Sequence, residues 1–86
     1  MDNTAYNQSD EVKISEFGLV AALLTSGFGI RRTEKVGRRV LFIFGSSEDL
    51  QQTIDDYWAG TLKVYARQIM DNSKMLKSMI YDGRQQ

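Results

Sequence analysis

The 86-residue chain has no cysteine, no histidine and no proline. Without cysteine there is no disulfide, no thiolate nucleophile and no cysteine-ligated zinc or iron–sulfur centre. Without histidine the commonest general base, the commonest metal ligand and the usual near-neutral proton switch are missing, and a Ser-His-Asp triad cannot be built from this chain alone. Without proline there is no slow prolyl isomerisation and no Pro-marked linker. An excess of one charge is missing too. Eleven Lys and Arg balance eleven Asp and Glu, so the strongly basic field of a dedicated duplex-DNA binder is absent. The longest apolar run, Leu19 to Leu24, is far short of the roughly 20 residues that span a bilayer. Residues 1–11 are polar and acidic where a secretion signal needs a cationic start and an apolar run. The expectation is a cytoplasmic protein that does not enter membranes.

What the chain does have is segregated charge. Residues 1–16 carry −3, residues 28–45 carry +4, residues 46–60 carry −4 and residues 61–86 carry +3, with none in 17–27. The length suits one domain, with a net stability of roughly 5 kcal/mol and one core. Such a core leaves no interior cavity for a large cofactor. No cofactor, metal or small-molecule substrate is therefore expected.

Residues 1–11 lack periodicity and read as a disordered tail ahead of a domain over 12–83, with residues 84–86 frayed. Val12 to Ile14 is a candidate short strand. Ser15 is a plausible N-cap, with Glu16 in the first turn of a helix over residues 16–26. Phe17, Leu19, Val20, Ala21, Ala22, Leu23 and Leu24 cover most of its circumference, the mark of a buried helix. Residues 28–35 and 39–44 read as a hairpin joined by the short, glycine-containing Val36-Gly37-Arg38. Val40, Phe42 and Phe44 alternate with Leu41 and Ile43, so both faces of the second strand are apolar and it should be central. The first strand is charged and suits an edge.

Either Ser46 or Ser47 can cap the next helix, and Ser46 with Asp49 approximates a capping box. That helix spans 47–58. Leu50, Ile54, Tyr57 and Trp58 form its apolar stripe, Glu48, Asp49, Asp55 and Asp56 lie away from it, and Gly60 stops it. The last element covers 62–81. Its start, Leu62 to Tyr65, alternates like a strand, and the helix is clear from Ala66 until Asp82-Gly83 ends it. The fold class is α+β: a small antiparallel sheet, made of the 28–44 hairpin plus short strands at 12–14 and 62–65, packed against three helices. The expected core is Phe17, Val20, Leu23, Leu24, Phe28, Val40, Phe42, Phe44, Leu50, Ile54, Trp58, Ile69, Leu76 and Ile80.

Several clusters are candidates for function. Arg31, Arg32, Lys35, Arg38 and Arg39 crowd the hairpin. Several cations on one surface can neutralise phosphates, although a solvated edge strand would show the same charges. Lys63, Arg67 and Lys74 project together on the last helix, with Lys77 nearby. They would extend the hairpin patch if the two pack side by side, or pair with the acidic helix instead. Met75 and Met79, at i and i+4, lie outside the main apolar face. An exposed Met pair suits a partner surface, and a wide core face would also hold it. Tyr57-Trp58 can stack on bases, but core packing accounts for the pair more simply. Asp55 and Asp56 are adjacent, point about 100° apart and do not converge on a metal.

The segments Leu23-Leu24-Thr25-Ser26-Gly27-Phe28, Val40-Leu41-Phe42-Ile43-Phe44, Tyr57-Trp58-Ala59-Gly60 and Leu76-Lys77-Ser78-Met79-Ile80-Tyr81 resemble a family of uncharacterised small proteins from bacterial, archaeal and phage genomes. The resemblance covers about residues 12–82. It implies a compact α+β unit, often from phage-related DNA, and no activity. The leading expectation is a non-catalytic interaction module that binds a protein or assembles with itself through Met75 and Met79, for example in phage anti-defence. The alternative is a nucleic-acid-binding accessory domain that uses the hairpin and last-helix cations. An enzyme comes third and would need residues from a partner.

Overall fold

The computed structural model describes residues 10–85, and the side chains of residues 10–80. Its elements are β1 (Glu11–Ile14), α1 (Phe17–Thr25), β2 (Ile30–Val36), β3 (Arg39–Gly45), α2 (Glu48–Ala59) and α3 (Ala66–Gln85). Most of the expected tail, residues 1–9, lies outside the described residues. Asp10 and Glu11 do not belong to it, because Asp10 forms a turn and Glu11 opens β1.

The sheet is antiparallel in the order β1-β3-β2. β3 is central, as its two apolar faces require, and charged β2 is an edge. Gly37 and Arg38 alone connect β2 to β3, with Val36 opposite Arg39. A two-residue connection needs positive φ at its first position, and Gly37 supplies 62°.

Register sorts the side chains. Val12, Ile14, Ile30, Val40, Phe42 and Phe44 share the inner face, and Glu11, Lys13, Arg32, Glu34, Leu41 and Ile43 share the outer one. The helices pack on the inner face, where Ile14, Phe42 and Phe44 join α1, α2 and α3 in one core cluster. α1 is its centre: Leu19, Val20, Ala21, Ala22 and Leu23 are consecutive and all buried. α1 packs against β1, α2 and α3, so nearly every direction around it is covered.

At four boundaries the structure corrects the sequence reading or chooses between its options. Glu16, not Ser15, caps α1: its carboxylate accepts from the Leu19 N–H, and the Ser15 hydroxyl accepts instead from the Arg39 guanidinium. Ser47 caps α2, accepting from the Leu50 N–H at 3.0 Å, while the Ser46 N–H is taken by the Asp10 carbonyl, so no Ser46–Asp49 box forms. Residues 62–65 are not a strand. The Thr61 and Leu62 amides donate to the Asp56 carbonyl at the end of α2, which ties the segment to a helix rather than to the sheet. Gly60 ends α2 in a left-handed conformation (φ 79°), but Gly83 stays inside α3, which runs on to Gln85. A glycine stops a helix only by leaving helical geometry; inside one it costs about 1 kcal/mol.

The expected core needs one removal. Trp58 is 63% exposed. Tyr57 takes the half-buried place on α2, because adjacent helical residues point about 100° apart and both cannot face one core. Ile14, Leu19, Ala21, Ala22 and Ile43 are buried in addition to the residues expected. Phe17, Leu24, Phe28, Val40, Ile69 and Ile80 sit half-buried at its margin. No helix among the described residues is long and apolar enough to cross a membrane.

Candidate functional site

The hairpin cations divide between two faces. A bulge at Arg31 breaks the register between Ile30 and Arg32. Two consecutive residues on the bulged strand then oppose one on its partner, which brings both arginines to Glu11. Arg32 grips Glu11 through both guanidinium nitrogens, the longer contact at 2.9 Å, and also reaches Glu34 at 3.0 Å. Arg31 reaches Glu11 at 3.5 Å, and its guanidinium lies against Gly45, where a side chain would collide with it. Lys13 joins Glu34 at 3.3 Å. The Arg32 hydrogen bonds hold Glu11 and Glu34 below the usual carboxylate range, with Lys13 adding to the effect at Glu34. Arg31 and Arg32 are therefore occupied by carboxylates on the outer face.

Lys35, Arg38 and Arg39 are placed differently. Lys35 pairs with Val40 and Thr33 with Phe42 on the inner face, at the turn end of the hairpin. The second half of α3 passes there. A cavity of 140 Å³ lies between them, lined by Thr33, Glu34, Lys35, Val40, Phe42, Met79 and Ile80. Adjoining hollows share Val40 and Ile80, and extend past Gly37 and Arg38 at the turn and past Ser15, Phe17 and Arg39 towards α1. Together they form one groove with an apolar floor and a rim of three cations and one carboxylate, Glu34, which Arg32 and Lys13 already hold. Among the described residues, Lys35 and Arg38 form no ion pair, and Arg39 bonds only the neutral Ser15 hydroxyl at 3.0 Å.

Met79 is thus a groove residue. Met75, one turn earlier, is exposed beside it, at 45% against 44% for Met79. Lys63, Arg67 and Lys74 of the last element do not join this surface. Lys63 precedes α3 and lies beside Thr25 and Ser26 at the end of α1, where a cation suits the helix dipole. Arg67 and Lys74 are exposed on α3, about 120° or more around the helix from Ile80. These three cations therefore do not extend the hairpin patch into one continuous anion-binding surface. Nor do these cations pair with α2: among the described residues no α2 carboxylate meets a lysine or arginine, and Asp55 and Asp56 accept from Gln51 and Gln52.

Sequence reasoning weighed Trp58 as a stacking residue but favoured the core, and it passed over Tyr65 and Met70; the three are 63%, 76% and 60% exposed. For Trp58 a signal existed, since it sits at the margin of the Leu50–Ile54–Tyr57 stripe. Its ring is edge-on to Tyr57, with centroids 5.0 Å apart, and the Tyr57 hydroxyl donates to Glu16 at 3.2 Å. Burial and the Glu16 charge raise the Tyr57 pKa, so this donor keeps its proton at neutral pH. Among the described residues no cluster of three or more carboxylates is placed to hold a metal ion.

The model of one protein family, the domain of unknown function DUF5659, matches residues 9–82. No curated protein matches the chain. No solved structure matches it.

Proposed function

We propose, for a chain that belongs to the DUF5659 family of domains of unknown function, a non-catalytic role as a cytoplasmic interaction module. The basic-rimmed groove between the hairpin turn and α3 receives a protein partner. The observation that carries this reading is the combination in one place of an apolar floor (Val40, Phe42, Met79, Ile80) and three cations without a carboxylate partner among the described residues. An apolar side chain flanked by carboxylates fits it. The apolar floor loses water on binding, and the cations select against positively charged segments. Met75 extends the floor, and methionine adapts its shape to a partner. A phage or mobile-element setting with an anti-defence role is one concrete version, and it rests on the sequence resemblance alone.

The test uses a short blocked peptide carrying one tryptophan between two aspartates, titrated into the isotopically labelled chain. Amide shifts should move at Lys35, Arg38 to Phe42 and Met79–Ile80, and the Met75→Glu/Met79→Glu variant should lose them while keeping its circular dichroism. Shifts confined to another surface, or none at all, overturn the reading. The second reading, a nucleic-acid-binding accessory domain, draws on the same Lys35, Arg38 and Arg39. Duplex DNA titrated at low salt distinguishes it: binding of DNA but not of peptide favours phosphate as the ligand.

A further inference from the structure

We infer that the occupant of the groove is a second copy of this chain, entering with the tryptophan-bearing face of α2 to make a two-fold dimer. This rests on the groove reading above. Glu48, Gln51, Asp55 and Trp58 fall within about 80° of one another around α2 at 100° per residue, and all four are exposed. They form the ligand the groove suits: an indole with carboxylates beside it. No α2 carboxylate is neutralised by a cation among the described residues. The groove presents Lys35, Arg38 and Arg39 and this α2 face presents Glu48 and Asp55, so the complementary charge for the groove is supplied by the chain itself.

Trp58 is also held ready. It packs edge-on against Tyr57, and Tyr57 is tethered to Glu16. Fixing an exposed aromatic before contact lowers the entropy lost on binding. Tryptophan and arginine are the residue types that most often anchor an interface, and an indole over Arg38 or Arg39 adds cation–π attraction.

The two surfaces border one another. Ser15 takes the Arg39 guanidinium on the groove side, and its neighbour Glu16 takes the Tyr57 hydroxyl on the α2 side. Two adjacent, opposite patches are self-complementary about a two-fold axis. Each chain's α2 then faces its partner's groove, and the contact closes as a dimer.

Sedimentation of the full chain tests this, with circular dichroism as the folding control. The wild type should be a dimer at high micromolar concentration and should dissociate as salt is raised. Trp58→Ala should weaken the dimer by about 30-fold or more, the effect of an anchoring residue. Lys35→Glu/Arg38→Glu and Glu48→Lys/Asp55→Lys should each be monomeric alone and dimerise when mixed, since each then meets opposite charge at both contacts. Arg67→Glu/Lys74→Glu should stay dimeric. A monomeric wild type, a polymer that grows with concentration, or a mixture that fails to restore the dimer overturns the inference. A monomer whose groove still binds the tryptophan peptide shows that the groove reading stands and the second-copy occupant is wrong.

Discussion

Trp58 is 63% exposed, and its neighbour Tyr57 is half-buried. Both follow the same apolar spacing along α2. The difference is one of angle: Tyr57 lies nearer the centre of the stripe set by Leu50 and Ile54, and Trp58 falls at its edge beside Asp55. The consequence for stability is direct. An edge-on aromatic pair contributes about 0.5–1.5 kcal/mol, whereas truncating a core aromatic costs about 3–5 kcal/mol. In the dissociated monomer Trp58→Ala should therefore cost no more than about 1.5 kcal/mol. Denaturant unfolding followed by circular dichroism measures it, and a loss in the core range would place the indole in the core.

At the scale of elements, the outer face of the sheet poses a problem of cover. Ile43 is 0% exposed, yet its cross-strand neighbours on that face are Lys13 and Arg32. Long charged side chains lay their methylene stems over apolar surface and keep their heads in water. Ion pairs among Glu11, Lys13, Arg31, Arg32 and Glu34 link β1 to β2 across that face. Exposed ion pairs contribute little one by one.

This arrangement makes the sheet sensitive to acid. Glu11 and Glu34 titrate below their ordinary value of 4.5 in the folded chain. A carboxylate depressed by folding contributes stability that is whole above its unfolded pKa and is lost as pH falls through the lower, folded one. The melting temperature should hold from neutral pH down to about 5 and decline below it. In Glu11→Gln/Glu34→Gln that decline should be shallower. Thermal scans across this range read it directly, and an unchanged acid limb in the double variant would mean that other carboxylates set it.

Across the whole molecule, α1 is buried in nearly every direction, so it cannot keep its place if α2 or α3 departs. Among its described side chains α3 contributes one that is fully buried, Leu76, with Ile69 and Ile80 half-buried. Leu76→Ala should cost about 2–5 kcal/mol, comparable to the roughly 5 kcal/mol available to a domain of this size. The whole fold should then melt together rather than α3 alone. Coincident loss of far-ultraviolet and near-ultraviolet circular dichroism would show this, and a helical signal lost ahead of the aromatic one would show α3 leaving by itself. The exposed Trp58 makes tryptophan fluorescence a poor reporter of this core.

Patterns local to the chain determined a great deal. The unbroken apolar run of α1 marked a buried helix, the two apolar faces of β3 marked a central strand, and Gly37 marked the turn, because period and backbone freedom are written in neighbouring residues. The absence of histidine and cysteine restricted the chemistry before any fold was known. Contacts between distant residues were decided only in three dimensions. The bulge at Arg31 turned two cations towards Glu11, which is 20 and 21 residues away from them. Ser15 gave up its capping role to Glu16 and took Arg39. The groove itself needed β2, β3 and α3 to meet at Val40 and Ile80. A spacing pattern shows which side of an element is apolar, but which element comes to cover that side, and which cations are left without a partner, depends on how all of them pack at once.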